Sequence, residues 1–207
     1  KYKKQSGGHG QYGHVKMTFE PSGDMDTPYV FEQTVVGGAV PKNFFPAVEK
    51  GIAESVKKGP LAAYPVTGIK AVLYDGSYHP VDSSEMAFKV ATQQAFKKGI
   101  MEAKPVLLEP IATLKVVVPE GYTGDVMGEL NKRRARVMGM NPTDNGYQEI
   151  VADIPYLELY GYNATLRSMT SGSGTFSYEF ARYEQAPDDV AAKQIEERAS
   201  KLVEVEE

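Results

Sequence analysis

The sequence predicts an α+β protein of two domains. A length of 207 residues accommodates two hydrophobic cores, and 42% of the residues are hydrophobic, as in an ordinary globular chain. Stretches with the alternating pattern of strands are interleaved with stretches of helical spacing. This pattern stops at a short junction, residues 107–110, and then starts again, which indicates a second folding unit.

The first half of the chain reads as a sheet with helices on one face. Val15, Met17 and Phe19 alternate with polar residues, which is the period of a half-buried strand. A turn at 22–28 leads to a second strand, so we expect these two strands to form a hairpin. The predicted elements are strands over 14–20, 29–36 and 66–74, and helices over 43–58 and from residue 82 towards residue 104.

Both helices of this half carry end signals. Gly59 and Pro60 close the first helix, and Pro105 ends the second. The segment from Asp82 to Glu85 has the spacing of a capping box. We therefore expect the Asp82 side chain to accept a hydrogen bond from the Glu85 amide and to begin the second helix.

The second half follows the order βαββαβ, which is the split βαβ or ferredoxin-like pattern. The predicted elements are strands over 111–118, 136–140, 147–154 and 175–183, and helices over 122–133 and 157–167. Pro187 and Asp188 then open a last helix, whose apolar stripe we expect to pack back on one of the domains. The predicted organisation is a first domain over 1–107, a second over 108–186, and a helix with an acidic tail over 187–207.

Composition and charge exclude several classes of protein. The chain has no cysteine, so disulfides and thiolate zinc sites are excluded and a reducing intracellular compartment is expected. No apolar run is long enough to cross a membrane. The net charge is −4, but residues 184–207 alone carry −5 and the rest of the chain about +1. The amino-terminal segment before residue 16 holds three lysines and no carboxylate, so it is locally suited to approach phosphate.

Two polar loops are the candidate functional segments. The first, residues 5–13, has four glycines in nine residues and should be an exposed loop whose backbone can lie close to a partner. The second, residues 75–80, carries Tyr78 and His79. Aromatic and short polar side chains on exposed loops are typical of RNA recognition.

Other chemistries have weaker support. The three histidines have no metal-ligand spacing, no serine lies in a Gly-x-Ser-x-Gly elbow, and the glycine loop lacks the Gly-Lys-Ser/Thr ending of a phosphate loop. We therefore assign no catalytic residue, no metal site and no cofactor to this chain. The basic cluster at residues 132–136 fits equally well a solvated last helical turn and an RNA-phosphate contact.

Several motifs recur in a fixed order along the chain. They are residues 5–15 (QSGGHGQYGHV), 45–52 (FPAVEKGI), 59–61 (GPL), 76–85 (GSYHPVDSSE), 104–110 (KPVLLEP), 124–128 (GDVMG), 161–162 (GY) and 166–168 (LRS). In order and spacing they resemble bacterial elongation factor G, a translational GTPase. The resemblance covers essentially the whole chain, which looks like the fourth and fifth domains of that factor plus its carboxy-terminal helix.

The resemblance implies a fold and a mechanism. The first domain is expected to be elongated with a left-handed βαβ crossover, and the second to be a ferredoxin-like sandwich. In the family the fourth domain enters the small-subunit decoding centre during translocation of tRNA and mRNA. The resemblance places the contacts of the tip with tRNA and mRNA at Gln5, Ser6, Gly7, Gly8, His9, Gly10, Gln11, Tyr12, Tyr78 and His79.

The fifth domain is expected to lie against large-subunit ribosomal RNA at the factor-binding site, with Arg133, Arg134 and Ser173 as contacts. GTP and magnesium would belong to a domain of the longer parent protein that is absent from this chain. The expected partners are the ribosome and the tRNA–mRNA complex, without a membrane, and we expect a cytoplasmic monomer. His9 and Ser173 depart from the family pattern by removing positive charge from these loops.

Alternative functions stay open from the sequence. A paralogue of elongation factor G or a ribosomal protection factor against tetracycline would share the architecture. A stand-alone RNA-binding or protein-interaction module is a different class. A small-molecule enzyme using the glycine loop is a third class, and nucleotide binding by this chain would reveal it.

Overall fold

The computed structural model describes residues 1–203 and resolves two compact units. One unit comprises Lys1–Pro105 together with the residues from Asp189 onward, and the other comprises Val106–Asp188. The last four residues of the predicted acidic tail, 204–207, lie outside the described residues. Among residues 1–203, no helix combines the length and the apolar composition that a membrane crossing requires.

The first unit is a four-stranded sheet with two helices. Its elements are β1 Tyr2–Lys4, β2 Gln11–Pro21, β3 Tyr29–Gln33, α1 Phe45–Ser55, β4 Ile69–Ser77 and α2 Glu85–Glu102. A short 3₁₀ turn, Lys42–Phe44, leads into α1. The strand order is β1-β2-β4-β3, and β3 runs parallel to β4 while the other pairs are antiparallel.

The predicted hairpin between β2 and β3 is wrong. β4 lies between these two strands and pairs with both. The inward residues Ile69, Ala71 and Leu73 are at most 9% exposed, so this apolar strand takes the central position. The β3–α1–β4 connection is the crossover for which the resemblance implies a left-handed sense.

Both helices pack on one face of this sheet. The buried cluster nearest the two predicted loops contains Val15, Val48, Leu73 and Phe88. A second cluster, around Ile52 and Phe96, continues the core along the helices. The apolar positions that predicted α1 and β2 therefore form the inside of the unit.

Helix α2 begins differently from the prediction. Ser84, rather than Asp82, is the N-cap, and its hydroxyl accepts a hydrogen bond from the Ala87 amide at 3.1 Å. Asp82 contacts the first loop instead, because its carboxylate accepts from the Gly10 amide at 3.1 Å. The cap is thus shifted by two residues, and the Asp82 side chain is available for a tertiary contact.

The second unit is an antiparallel sheet covered by two helices. Its elements are β5 Leu108–Pro119, α3 Thr123–Lys132, β6 Arg136–Pro142, β7 Tyr147–Pro155, α4 Tyr162–Met169 and β8 Thr175–Gln185. The strand order β6-β7-β5-β8 with this connectivity is the predicted ferredoxin-like sandwich. The predicted helix over 157–167 is interrupted, because Tyr156–Leu159 is a 3₁₀ turn and Gly161 has a φ of 72°.

The last helix, α5 Asp188–Arg198, packs on the first unit. Arg198 Nε donates to the Ala62 carbonyl at 2.7 Å, and its guanidinium stacks 3.7 Å from the Tyr64 ring centroid. The Tyr64 hydroxyl donates to Gln194 at 3.0 Å. The helix packs back on a domain as predicted. No described residue of α5 is fully buried, but Ile195 of the predicted apolar stripe is half-buried, so polar and stacking contacts act together with a partly covered stripe.

Candidate nucleic-acid interface

Two loops meet at one end of the first unit's sheet. The first loop, residues 5–10, joins β1 to β2, and the second loop, residues 78–84, joins β4 to α2. We call them the tip loops. Both differ from the predicted segments. The first is shorter, because Gln11, Tyr12 and Gly13 belong to β2. The second begins later, because residues 75–77 belong to β4, and it extends to the start of α2. The pairing of Lys4 with Gln11 closes the first loop.

A chain of hydrogen bonds joins the two tip loops. The Gly10 amide donates to the Asp82 carboxylate at 3.1 Å, and the Tyr12 amide donates to the Asp82 carbonyl at 2.9 Å. The Ser83 hydroxyl donates to the Tyr12 carbonyl at 2.8 Å and accepts from the His79 amide at 2.8 Å. The loops therefore form one connected structure.

His79 lies at the outer end of this connected structure. Its Nδ1 accepts hydrogen bonds from the backbone amides of Val81 at 3.2 Å and Asp82 at 3.0 Å. A neutral imidazole whose Nδ1 accepts carries its proton on Nε2. The side chain is 49% exposed, so His79 presents an N–H donor at the surface.

Tyr12 and His14 support the loops from below. The Ser77 hydroxyl lies 2.6 Å from the Tyr12 hydroxyl and 2.7 Å from His14 Nδ1. Burial, followed by nearby positive charges, lowers the pKa of His14 below its ordinary value. Tyr12 is half-buried with its ring centroid 6.4 Å from that of His79, so it supports the loops and does not present a free stacking surface.

The predicted glycines divide into two groups. Gly7, with a φ of +52°, and Gly8 leave open space where a side chain would begin, so their backbone is accessible to a partner. By contrast, a Cβ at Gly10 would lie 2.8 Å from an Asp82 carboxylate oxygen, and one at Gly13 would lie 2.5 Å from the Ala87 carbonyl oxygen. These two glycines permit close packing inside the unit.

The remaining predicted contacts in the tip are exposed. Gln5, Ser6 and His9 project from the first loop, and within residues 1–203 none of these three side chains forms a hydrogen bond. Tyr78 is 49% exposed in the second loop. Gln11, at the start of β2, accepts a hydrogen bond from the Tyr2 hydroxyl at 2.7 Å. The tip therefore offers amide, hydroxyl and imidazole groups to a partner.

Arg133 is engaged inside the second unit. Its guanidinium donates to the Glu129 carboxylate at 2.9 Å, to the Glu158 carbonyl at 2.6 Å and to the Tyr160 carbonyl at 3.1 Å. A further N–H donates to the Thr165 hydroxyl at 3.1 Å. Arg133 therefore holds the connection between β7 and α4, and these donors are not directed outward.

Arg134 and Ser173 are also occupied. Arg134 forms a bidentate pair with Glu109 at 2.8 and 3.1 Å, and this pairing raises the pKa of Arg134 above its ordinary value. It also donates to Glu158 at 3.1 Å. The Ser173 hydroxyl donates to the Thr170 carbonyl within a tight turn. The three predicted ribosomal RNA contacts thus have internal partners that the sequence did not reveal.

Sequence reasoning missed the residues that connect the tip loops. Asp82, Ser83 and Ser77 make the bonds described above, yet none was singled out as a site residue. The sequence carried one signal: Ser83 and Ser84 are adjacent at a helix start, where a single hydroxyl suffices for capping. The second serine was therefore free for another contact.

Family comparisons agree with this architecture. Residues 1–104 match the family model described as elongation factor G, domain IV, and residues 106–194 match the model described as elongation factor G C-terminus. The chain belongs to the elongation factor G family. The boundary between the two matches coincides with the boundary between the units at residues 105–106, and residues 189–194 of α5 fall in the second match although they pack with the first unit. The resemblance that the sequence motifs indicated is confirmed.

Two similar members of the comparison are much longer than this chain. A protein of Thermotoga maritima, described as an elongation factor G-like protein, is 50% identical over 206 residues, covering 100% of this chain and 30% of the relative. A crystal structure of a Thermus thermophilus protein is similar with a TM-score of 0.80 and 45% identity, covering 96% of this chain and 29% of that chain. The chain thus spans about 30% of the length of the curated relative it matches.

Proposed function

We propose that this chain is the ribosome-binding, carboxy-terminal part of an elongation factor that promotes GTP-dependent translocation of tRNA and mRNA. The tip loops enter the small-subunit decoding centre and contact the tRNA–mRNA complex. GTP and magnesium are bound by a domain outside this chain, which itself catalyses no reaction. The factor acts in the cytoplasm as a monomer.

The connected tip is the observation that carries the proposal. Its two loops expose backbone amides at Gly7 and Gly8, polar side chains at Gln5 and Ser6, and the Nε2–H donor of His79. RNA is recognised by such groups, which reach 2′-hydroxyls, phosphates and base edges. The surrounding lysines favour approach to phosphate without adding a catalytic arrangement.

The second unit has a supporting role in this proposal. We assign its contact with large-subunit ribosomal RNA to the region of Arg133, Arg134 and Ser173. Because the two arginines are paired internally, they act by holding the segment that exposes Leu157 and Tyr160, which are 55% and 93% exposed. In this proposal, the second unit contacts RNA through the exposed segment around Leu157 and Tyr160, and not through unpaired arginine charges.

Replacing His79 with alanine tests the proposal. In the full-length factor, His79→Ala should slow single-round translocation by about tenfold, since one surface donor to RNA is lost. Asp26→Ala is the control and should translocate at the wild-type rate, because Asp26 lies on the exposed turn at the other end of β2 and its side chain makes no hydrogen bond among residues 1–203. Rapid kinetics with fluorescent mRNA would measure both. Wild-type rates for His79→Ala would disprove the tip assignment.

A paralogue is the second candidate, and two observations favour it. The Thermotoga maritima relative is described as elongation factor G-like, and this chain has histidine at position 9, where the resemblance places arginine. A paralogue or a ribosomal protection factor would bind the ribosome without replacing the main translocase. Complementation of a strain lacking its translocase separates these alternatives, because the main factor alone restores growth.

A stand-alone RNA-binding or protein-interaction module is the competing class. Such a module would bind RNA or protein without an attached GTPase domain. The reading frame upstream of residue 1 decides between the two, since the translocase requires a phosphate loop ending in Gly-Lys-Ser/Thr. Its absence from the gene would contradict the proposal.

A further inference from the structure

Ser83 belongs to the second tip loop, and its hydroxyl links that loop to β2 just after the first tip loop. Its hydroxyl accepts from the His79 amide on the second loop and donates to the Tyr12 carbonyl beside the first loop, each at 2.8 Å. The neighbouring Ser84 already caps helix α2. The Ser83 hydroxyl is therefore not needed for the helix, and its two bonds serve the connection between the loops.

Asp82 reinforces the same connection with its side chain and its backbone. The carboxylate accepts from the Gly10 amide, and the Asp82 carbonyl accepts from the Tyr12 amide. The Asp82 amide donates to His79 Nδ1 at 3.0 Å. A Cβ at Gly10 would lie 2.8 Å from the Asp82 carboxylate, so this approach requires glycine on the first loop.

We propose that Ser83 and Asp82 are positioning residues that join the tip loops and hold His79 with its proton on Nε2. The tip then presents a fixed hydrogen-bond donor, and it takes an acceptor atom of RNA: a 2′-hydroxyl oxygen, a phosphate oxygen or a base acceptor. This inference rests on the proposed function, because the RNA partner comes from it.

The first experiment measures the His79 ring directly in the 207-residue chain. Nitrogen NMR of the labelled imidazole distinguishes an accepting Nδ1 from a protonated one. The wild-type chain and Ser83→Thr should show Nδ1 accepting and Nε2 protonated. Ser83→Ala should give a mixture of the two ring forms, because the loop that orients the ring loses two hydrogen bonds.

Ser22→Ala is the matched control. The Ser22 hydroxyl also makes two backbone hydrogen bonds, to the Asp24 amide and the Asp24 carbonyl at 3.2 Å, but at the other end of β2. This variant should leave the His79 nitrogens unchanged. Gly10→Ala changes the first loop instead. Its Cβ would displace Asp82, so this variant should also give a mixture of the two His79 ring forms.

The second experiment measures translocation by the full-length factor. Ser83→Ala should slow translocation about fivefold to tenfold relative to GTP hydrolysis in the same samples, the effect of losing about one net hydrogen bond. Ser83→Thr should restore the rate, and Ser22→Ala should match the wild type.

Two results would overturn the inference: unchanged His79 nitrogens in Ser83→Ala, or equal translocation by Ser83→Ala and Ser22→Ala. The proposed function can fail while this inference still stands. If the wild-type factor supports no translocation, the ring nitrogens still decide whether Ser83 and Asp82 position His79.

Discussion

The hydroxyl of Tyr162 is buried without a hydrogen-bond partner among the described residues. The side chain is 1% exposed within the core of the second unit, and the Arg133 guanidinium lies 5.2 Å from its ring centroid. Burial raises the pKa of this phenol from 10.0 to about 12. The ring contributes packing and the contact with Arg133, whereas the hydroxyl adds a desolvation cost.

Tyr162→Phe should therefore stabilise the protein by about 1 kcal/mol at neutral pH, because the unpaired hydroxyl is removed while the ring remains. The folded state holds the phenolic proton more tightly than the unfolded state. In the wild type, the part of the stability that depends on this phenol is consequently intact below pH 10 and falls between pH 10 and 12, by at most roughly 1.4 kcal/mol per pH unit. Denaturant unfolding at several pH values measures both effects.

Tyr160→Phe is the control for this prediction. Tyr160 is 93% exposed, so removal of its hydroxyl should change neither the free energy of unfolding nor its dependence on pH. If Tyr162→Phe lost stability at neutral pH, the Tyr162 hydroxyl would have a hydrogen-bond partner in the folded protein, contrary to this prediction.

Strand β2 and helix α2 approach each other closely at Gly13. A Cβ there would lie 2.5 Å from the Ala87 carbonyl oxygen and 2.9 Å from the Phe88 amide nitrogen. Both neighbours are backbone atoms of a helix and move only with the helix. The close approach sets the base of the tip, because Tyr12 and His14 flank this glycine.

Gly13→Ala should destabilise the protein by about 1–3 kcal/mol, the usual cost of forcing an extra methyl into a packed site. Gly8→Ala is the matched control, since the nearest atom to its Cβ is 4.0 Å away. Thermal or denaturant unfolding would measure both variants. Equal stability of the two would mean that β2 and α2 are not held this closely.

The spacing of apolar residues predicted the helices and most strands, because this spacing depends only on residues that are close in sequence. The positions Val48 and Ile52 that predicted α1 are buried, and the βαββαβ order gave the second unit. The pairing of β2 with β4 could not be predicted in this way. It depends on a contact between residues such as Phe19 and Ala71, which are distant in sequence.

The candidate site was predictable only in part, because it too depends on contacts between residues that are distant in sequence. The glycine-rich composition and His79 marked the tip loops, but composition does not separate the exposed Gly7 from the packed Gly13. The basic cluster marked Arg133 and Arg134, but not their internal partners at Glu129, Glu158 and Glu109. Side-chain donors are assigned by tertiary structure, which a linear pattern does not contain.

Arginine and lysine occupy different parts of the chain. Every arginine lies at position 133 or later, whereas the first 105 residues carry lysine alone as the permanently cationic side chain. Arginines pair with carboxylates inside the second unit, as at Arg182 with Asp153 at 2.6 Å. In the first unit, the lysines nearest the tip loops, at positions 1, 3 and 4, are exposed, which suits reversible contact with RNA phosphate.

The position of the tip loops on the ribosome can be measured directly with a tethered probe. Because the chain has no cysteine, Ser6→Cys introduces a single thiol on the first tip loop for a hydroxyl-radical probe, in a factor otherwise free of cysteine. Asp26→Cys places the same probe on the exposed turn at the other end of β2. We expect cleavage of small-subunit RNA at the decoding centre from Ser6→Cys and not from Asp26→Cys. Decoding-centre cleavage from neither position, or equally from both, would contradict this expectation.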